Sequence, residues 1–169
     1  MMDHDEYFMR LAIETARQGI ERFEFPFGCC IAQDSYRYVV TGNHCFTSAD
    51  PTAHAEITAI REWSRLYGAI SLQETVIYST SEPCLMCLGA INWARIPRIV
   101  YGTSLHSCIH HGFGEADINS AALLNTFLHS VSMEGGVLEQ ACEQLFESWE
   151  KKKRLTALFS KQPSKLSTT

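Results

Sequence analysis

The chain has 169 residues, 46% of them hydrophobic and 20% charged, enough apolar side chains to fill one domain's core without disulfide staples. Its net charge of −5 argues against a large nucleic-acid footprint, because phosphate binding needs clustered Lys and Arg. No apolar run is long enough to span a bilayer, and the opening Asp3, His4, Asp5 and Glu6 lack the basic-then-apolar order of a signal peptide, so a cytoplasmic protein without membrane contact is expected.

In chain order, Tyr7, Phe8, Leu11, Ala12, Thr15, Ala16 and Ile20 recur at helical spacing, which predicts an amphipathic helix ending before the Phe23 to Pro26 loop. Phe27 to Ala32 and Tyr38 to Thr41 read as strands joined by polar Gln33, Asp34 and Ser35, a hairpin by spacing. A loop through Asp50 and Pro51 leads to a helix over Thr52 to Leu66, with Thr52 as its cap and His54 and Glu56 in the first turn. Thr75 to Ser79 is a short strand, Pro83 opens a helix running to Ala94, and Arg98 to Tyr101 is the next strand. Farther on, Ala116 to Leu128 reads as helix, Ser130 to Met133 as strand and Leu138 to Phe159 as a long amphipathic helix. Residues 1–161 are expected to form a single domain and Gln162 to Thr169 a frayed tail. Alternating strands and helices predict an α/β three-layer α-β-α sandwich around a mixed sheet, with catalytic groups at strand-to-helix junctions converging on one end of it.

Seven cysteines are an odd number, and Cys29, Cys30, Cys45, Cys108 and Cys142 read as small buried hydrophobes in a reducing compartment. The basic run Lys151 to Arg154 reads as the solvated face of the last helix.

The other two cysteines carry the chemistry. His54 and Glu56 stand one alanine apart, and Pro83, Cys84 and Cys87 follow downstream. Zinc takes a neutral imidazole and two thiolates in tetrahedral geometry, and three protein ligands leave a fourth position for water, the mark of a catalytic rather than a structural site. Glu56 is then the unligated carboxylate that shuttles protons. Taken alone, Cys84 and Cys87 also fit a structural zinc knuckle, a redox dithiol or two buried thiols, but neither a fourth ligand nor a thioredoxin-like unit is evident around Ser79 to Arg95. His-x-Glu followed by Pro-Cys-x-x-Cys is the recorded signature of zinc nucleobase deaminases.

On these residues the chain resembles the cytidine and deoxycytidylate deaminase superfamily, in the branch that holds bacterial guanine deaminases, yeast-type cytosine deaminases and tRNA adenosine deaminases. The resemblance runs from Tyr7 to about Ile118 and is densest in Asp50 to Ile57 (DPTAHAEI) and Ser81 to Ala94 (SEPCLMCLGAINWA). It implies a cytidine deaminase-like fold, one Zn2+ on His54, Cys84 and Cys87, Glu56 as proton shuttle, Asn43 as a hydrogen-bonding partner of the base, and a homodimer. Without it, Asn43 after Gly42 is a turn residue.

Phe25 to Gly28 (FPFG) and Gly89 to Arg95 (GAINWAR) look more like guanine deaminases than tRNA deaminases. Guanine deaminases carry an aspartate two residues after a Gly-Phe pair to read the guanine edge, and here Glu115 follows Gly112 and Phe113 at that place. A carboxylate suits the N–H donors of guanine, whereas its alternative role is a surface acid at a helix start. Trp93 and Phe25 are candidate walls for the base, with core packing as the alternative for the tryptophan. Phe146 and Trp149 echo the residues that precede the closing aromatic of guanine deaminases, a segment often swapped between subunits, but the terminal tyrosine is absent and Leu158 and Phe159 lie near its place. The leading expectation is hydrolysis of guanine to xanthine and ammonia. The alternatives are cytosine or guanosine, then a tRNA adenosine, and, from another class, a zinc-stabilised binding subunit without activity.

Overall fold

The computed structural model describes residues 3–127 and 129–160. Its elements are α1 (His4–Glu21), β1 (Gly28–Ala32), β2 (Tyr38–Gly42), α2 (Cys45–Ser48), α3 (Ala55–Tyr67), β3 (Val76–Ser81), α4 (Leu85–Trp93), β4 (Arg98–Thr103), α5 (Leu105–His110), α6 (Ser120–Leu124), β5 (Ser132–Glu134) and α7 (Glu139–Ser160). The strands form one sheet in the order β2-β1-β3-β4-β5. β1 runs antiparallel to both neighbours, while β3, β4 and β5 run parallel, so the sheet is mixed.

Every residue of β1 is buried. Successive side chains of a strand point to opposite faces, and both faces here carry helices. Cys30 and Ala32 pack with Phe8, Met9 and Ala12 of α1 and with Leu145 and Trp149 of α7. Cys29 and Ile31 pack on the other side with Ala59 and Trp63 of α3 and Leu88 and Ile91 of α4. The expected three-layer sandwich is therefore present, and the apolar run GCCIA is the sequence trace of a strand covered twice. Close approach sets the layer spacing at Gly28, where a Cβ would fall 2.0 Å from the Ala12 carbonyl oxygen.

β2 runs antiparallel to β1 and β1 antiparallel to β3, so β2, β3 and β4 all point the same way. The segments leaving their C-terminal ends share one end of the sheet: Asn43 to His54, Glu82 to Cys84, and Ser104 to Glu115. At the opposite end Asp5 of α1 takes a two-pronged bond from Arg98 at 2.8 and 2.6 Å and a third from the Tyr78 hydroxyl at 3.0 Å.

Several boundaries differ from the sequence expectation. Thr52 is not a cap: its N–H and hydroxyl both bond Asp50, at 2.8 and 2.7 Å, and His54 takes the N-cap position of α3. Pro83 precedes α4 rather than opening it, and Cys84 is the N-cap. Two short helices, α2 and α5, were not expected, and only Ser120–Leu124 of the segment from Ala116 is helical, with residue 128 outside the described residues. All seven cysteines are free; Cys45 is half-buried rather than buried. Lys152 pairs with Glu21 at 2.9 Å and Arg154 with Glu150 at 3.3 Å, so the basic run is partly neutralised. No helix among the described residues is long and apolar enough to cross a membrane. The expected tail, Gln162 to Thr169, lies outside the described residues, as do the side chains of Leu158 and Phe159.

Candidate metal centre and its pocket

His54 and Cys84 occupy equivalent positions at the starts of α3 and α4. Both are N-caps in extended conformation, and neither side chain makes a capping hydrogen bond. An N-cap normally folds its side chain back onto the first turn. Freed from that, these two turn toward each other. His54 Nδ1 lies 3.6 Å from Cys84 Sγ and 3.6 Å from Cys87 Sγ. Tetrahedral zinc with ordinary Zn–N and Zn–S bonds gives an N to S edge of about 3.5 Å. One imidazole nitrogen and two sulfurs, all within 4.8 Å of one another, suit one zinc ion.

The electrostatics favour a thiolate on Cys84, while the hydrogen bond to Cys84 and then burial push Cys87 well above the usual thiol range. The Cys87 thiol donates to Cys84 and holds it down to about 4, with His54 adding to the effect, while the bond to Cys84 pushes His54 above its usual range. Helix starts also favour negative charge, and both thiols sit at one.

Glu56 lies two residues beyond His54, in the first turn of α3, and is only 6% exposed. The Ser79 hydroxyl donates to Oε1 at 2.9 Å, and Oε2 lies 3.4 Å from Cys87 Sγ, facing the cluster. Burial, with the Cys84 charge next, raises the pKa of this carboxyl. Its environment is that of a group that takes up and releases protons.

Two adjoining cavities open on the cluster. One is lined by Phe27, His54, Glu56, Cys84, Cys108 and Glu115, among others. The other, about 230 Å³, is lined by Phe25, Phe27, Asn43, His54, Phe113 and Glu115, with Gly112 and Gly114 beside them. Glu115 therefore faces both. It is half-buried in the loop between α5 and α6, five residues before α6 begins, so the helix-start alternative does not hold. Burial raises its pKa, with the Cys84 charge adding to the rise. Asn43 is buried, and its Oδ1 accepts the Cys45 N–H at 3.0 Å, which fixes the amide so that its NH2 is the side left for another partner. Phe25 sits 4.7 Å, ring to ring, from Phe46 and 6.1 Å from Phe113, forming an aromatic rim.

Trp93 is not brought to this pocket. It is 85% exposed and lines a groove between α3 and α4 with Ile57, Ile60 and Ile70. The reason is helical phase: six residues beyond Cys87 is about 240° of rotation, which turns the side chain away from the ligand.

Several lining residues escaped the sequence reading, namely Phe27, Ser81, Glu82, Leu105 and Cys108, as did Ser79, the hydrogen-bond partner of Glu56. The Ser81 hydroxyl and the Cys108 thiol lie 2.7 Å apart, and burial pushes Cys108 up to about 12. Ser81 and Glu82 stand directly before Pro83 and Cys84, which was the available signal. Leu105 and Cys108 belong to a helix of six residues, too short for periodicity to show.

With the site described, the relatives of the chain take on meaning. The family model for the cytidine and deoxycytidylate deaminase zinc-binding region matches residues 2–103. A guanine deaminase of Bacillus subtilis is 39% identical over 118 residues, 69% of this chain and 75% of the relative. A tRNA-specific adenosine deaminase of Streptococcus pyogenes is 34% identical over 149 residues, 88% of this chain and 91% of the relative. The fold is shared with the solved guanine deaminase from Nitrosomonas europaea, at a TM-score of 0.79 and 21% identity, over 89% of this chain and 87% of that one. The matched region contains His54, Glu56, Cys84 and Cys87 together, and the chain belongs to the cytidine and deoxycytidylate deaminase superfamily of zinc-dependent hydrolytic deaminases.

Proposed function

We propose that this protein deaminates a purine base, guanine first, to give xanthine and ammonia, as a single-domain cytoplasmic enzyme. The observation that supports this reading is Glu115, a carboxylate lining both cavities beside His54. Guanine offers N–H donors on its ring and amino group, which a carboxylate accepts, and a site built to accept them discriminates strongly against bases lacking them. The Asn43 NH2 then donates to an acceptor on the base, and Phe25 and Phe27 cover its faces.

His54, Cys84 and Cys87 are the zinc ligands in this reading. Bound zinc supplies a Lewis acid that makes water nucleophilic near neutral pH. Glu56 Oε2 takes the proton that water gives up as its oxygen bonds to the amino-bearing carbon. The same carboxyl then protonates the adjacent ring nitrogen and carries the second proton to the amino group, so that the C–N bond breaks with ammonia leaving. Ser79 holds Oε1 throughout, which keeps Oε2 as the moving atom.

A tRNA adenosine substrate is the second reading, favoured by the Streptococcus relative. The net charge of −5 and the paired state of Lys152 and Arg154 weigh against it, since a flipped-out base arrives with its phosphates. We also propose a homodimer, with the groove around Trp93 as its contact: exposed Trp93 and Ile70 on one face are a typical interface signal. Trp93→Glu is expected to raise the monomer fraction in sedimentation.

The test is ammonia release by zinc-loaded protein from guanine, cytosine, adenine, their nucleosides and a tRNA anticodon stem-loop. Guanine is expected to be fastest. A preference for cytosine or the stem-loop contradicts the purine reading and leaves the metal chemistry standing.

A further inference from the structure

Glu82 stands between the end of β3 and the cysteine that caps α4, and both of its carboxylate oxygens are engaged. Oε2 accepts the Leu105 backbone N–H at 3.0 Å, and Oε1 accepts the Ser120 hydroxyl at 2.5 Å. Its own N–H donates to the Thr103 carbonyl at 2.8 Å, so the residue is anchored from behind by the β3 to β4 pairing. Leu105 is the first residue of α5 and Ser120 the first of α6. The stretch between them carries the far wall of the pocket, through Cys108, Gly112, Phe113, Gly114 and Glu115.

Inside that segment the backbone bonds are local: Gly112 N–H to Ile109, Phe113 N–H to Cys108 and Glu115 N–H to Phe113, at 3.0, 3.1 and 2.9 Å. Such bonds shape the loop; its middle is held on α7 and just before β1, by Ser107 and His111 against Glu143 and by Phe113 against Phe27 and Phe146, and its two ends are held by Glu82. Both Leu105 and Ser120 are buried, where losing a partner is costly, so the two bonds to Glu82 locate the segment's two ends.

We infer that Glu82 is a positioning residue: one carboxylate clamps both ends of the 105–120 segment to the start of the metal-binding helix and thereby sets the distance from Glu115 to the reacting centre. This rests on the reading of Glu115 as the group that recognises the base. A clamp anchored beside Cys84 ties base recognition and metal to one rigid point, which is what a site holding its substrate within a fraction of an ångström requires.

Hydrogen-bond chemistry makes the idea testable. A glutamine at this position keeps both contacts, its carbonyl accepting from Leu105 and its NH2 donating to the Ser120 oxygen, whereas alanine loses both. In zinc-loaded protein without substrate, Glu82→Ala is expected to speed amide exchange across residues 104–120 by about tenfold while zinc stays at one per chain. On guanine, the same variant is expected to raise KM by about tenfold, with a smaller change in kcat. Glu82→Gln is expected to recover most of both losses. Ser120→Ala, which releases one end only, is expected to show the same pattern at about threefold and decides the matter if Glu82→Ala does not fold.

Unchanged exchange in Glu82→Ala overturns the proposal, and so does unchanged exchange in Ser120→Ala where the first variant is unfolded. Zinc loss in Glu82→Ala overturns it by placing the residue in support of the metal. Glu82→Gln being as impaired as Glu82→Ala, with the segment still protected, overturns it by showing that the charge acts on the base directly. Wild-type protein inactive on guanine removes the substrate reading, and the exchange measurement still decides the clamp.

Discussion

The near and far walls of the pocket are built on different principles. The near wall, His54, Glu56, Cys84 and Cys87, is carried by the first turns of α3 and α4, each a few residues of contiguous chain whose placement follows from a helix start. The far wall, from Leu105 to Glu115, is loop and short helix, held by contacts to residues distant in sequence such as Glu82 and Glu143. Rigid helix ends fix atoms where bond making demands it, and loops are where substrate choice varies at little cost to the core. Under the proposed function, chemistry falls to the near wall and substrate choice to the far wall, and each wall has its own mode of failure.

The sharpest way to break the near wall is to remove the metal. Cys87→Ala, or stripping with a chelator, is expected to bring ammonia release to background, with activity returning on zinc addition only in the stripped wild type. Retained turnover in a zinc-free sample contradicts the assignment of the cluster.

The far wall breaks more selectively. Glu115→Gln replaces an acceptor with a donor where guanine presents N–H groups, so kcat/KM on guanine is expected to fall by about ten- to a hundredfold, the worth of a charged hydrogen bond. Zinc content stays unchanged. Equal relative rates on guanine and cytosine in wild type and variant would show that Glu115 does not read the base.

A region remote from both walls gives the smallest effect and serves as the control. The Arg98 guanidinium holds Asp5 below the usual carboxylate range, helped by the Tyr78 hydroxyl and opposed by partial burial. A depressed folded-state pKa contributes stability above the unfolded pKa of about 3.9 and loses it as pH falls through the folded value. Asp5→Asn is expected to cost about 1–2 kcal/mol near neutral pH, or about 3–6 °C in Tm. The gap from wild type should close below about pH 4. Thermal melts at several pH values check this, and a gap that widens in acid contradicts it.

The contrast between the walls also explains what could be read in the sequence. The two antiparallel strands, the long first and last helices and the sheet layers were legible, because periodicity over many residues reports burial and β1 shows the run of a doubly covered strand. The metal ligands were legible because zinc restricts donor type and spacing. Thr52 and Pro83 were misassigned as helix starts, since the usual capping signal stands beside both true N-caps while a metal ligand takes each cap position itself. Glu115 was reached only through its likeness to relatives. Glu82, Ser79 and Cys108 were missed, because their importance lies in partners 23 to 38 residues away, such as Glu56, Leu105, Ser81 and Ser120, which no local pattern encodes. Trp93 was placed wrongly by its position on the right helix, where phase and not membership decides which face a side chain serves.

The most direct test of the account is the turnover of zinc-loaded Glu56→Ala on guanine, with metal content measured on the same sample. One zinc per chain is expected, with a kcat lower by about a thousandfold, within the range that a positioned proton shuttle contributes. Full zinc together with near wild-type turnover would contradict it, because the metal alone would then suffice and Glu56 would be only a buried acid bonded to Ser79.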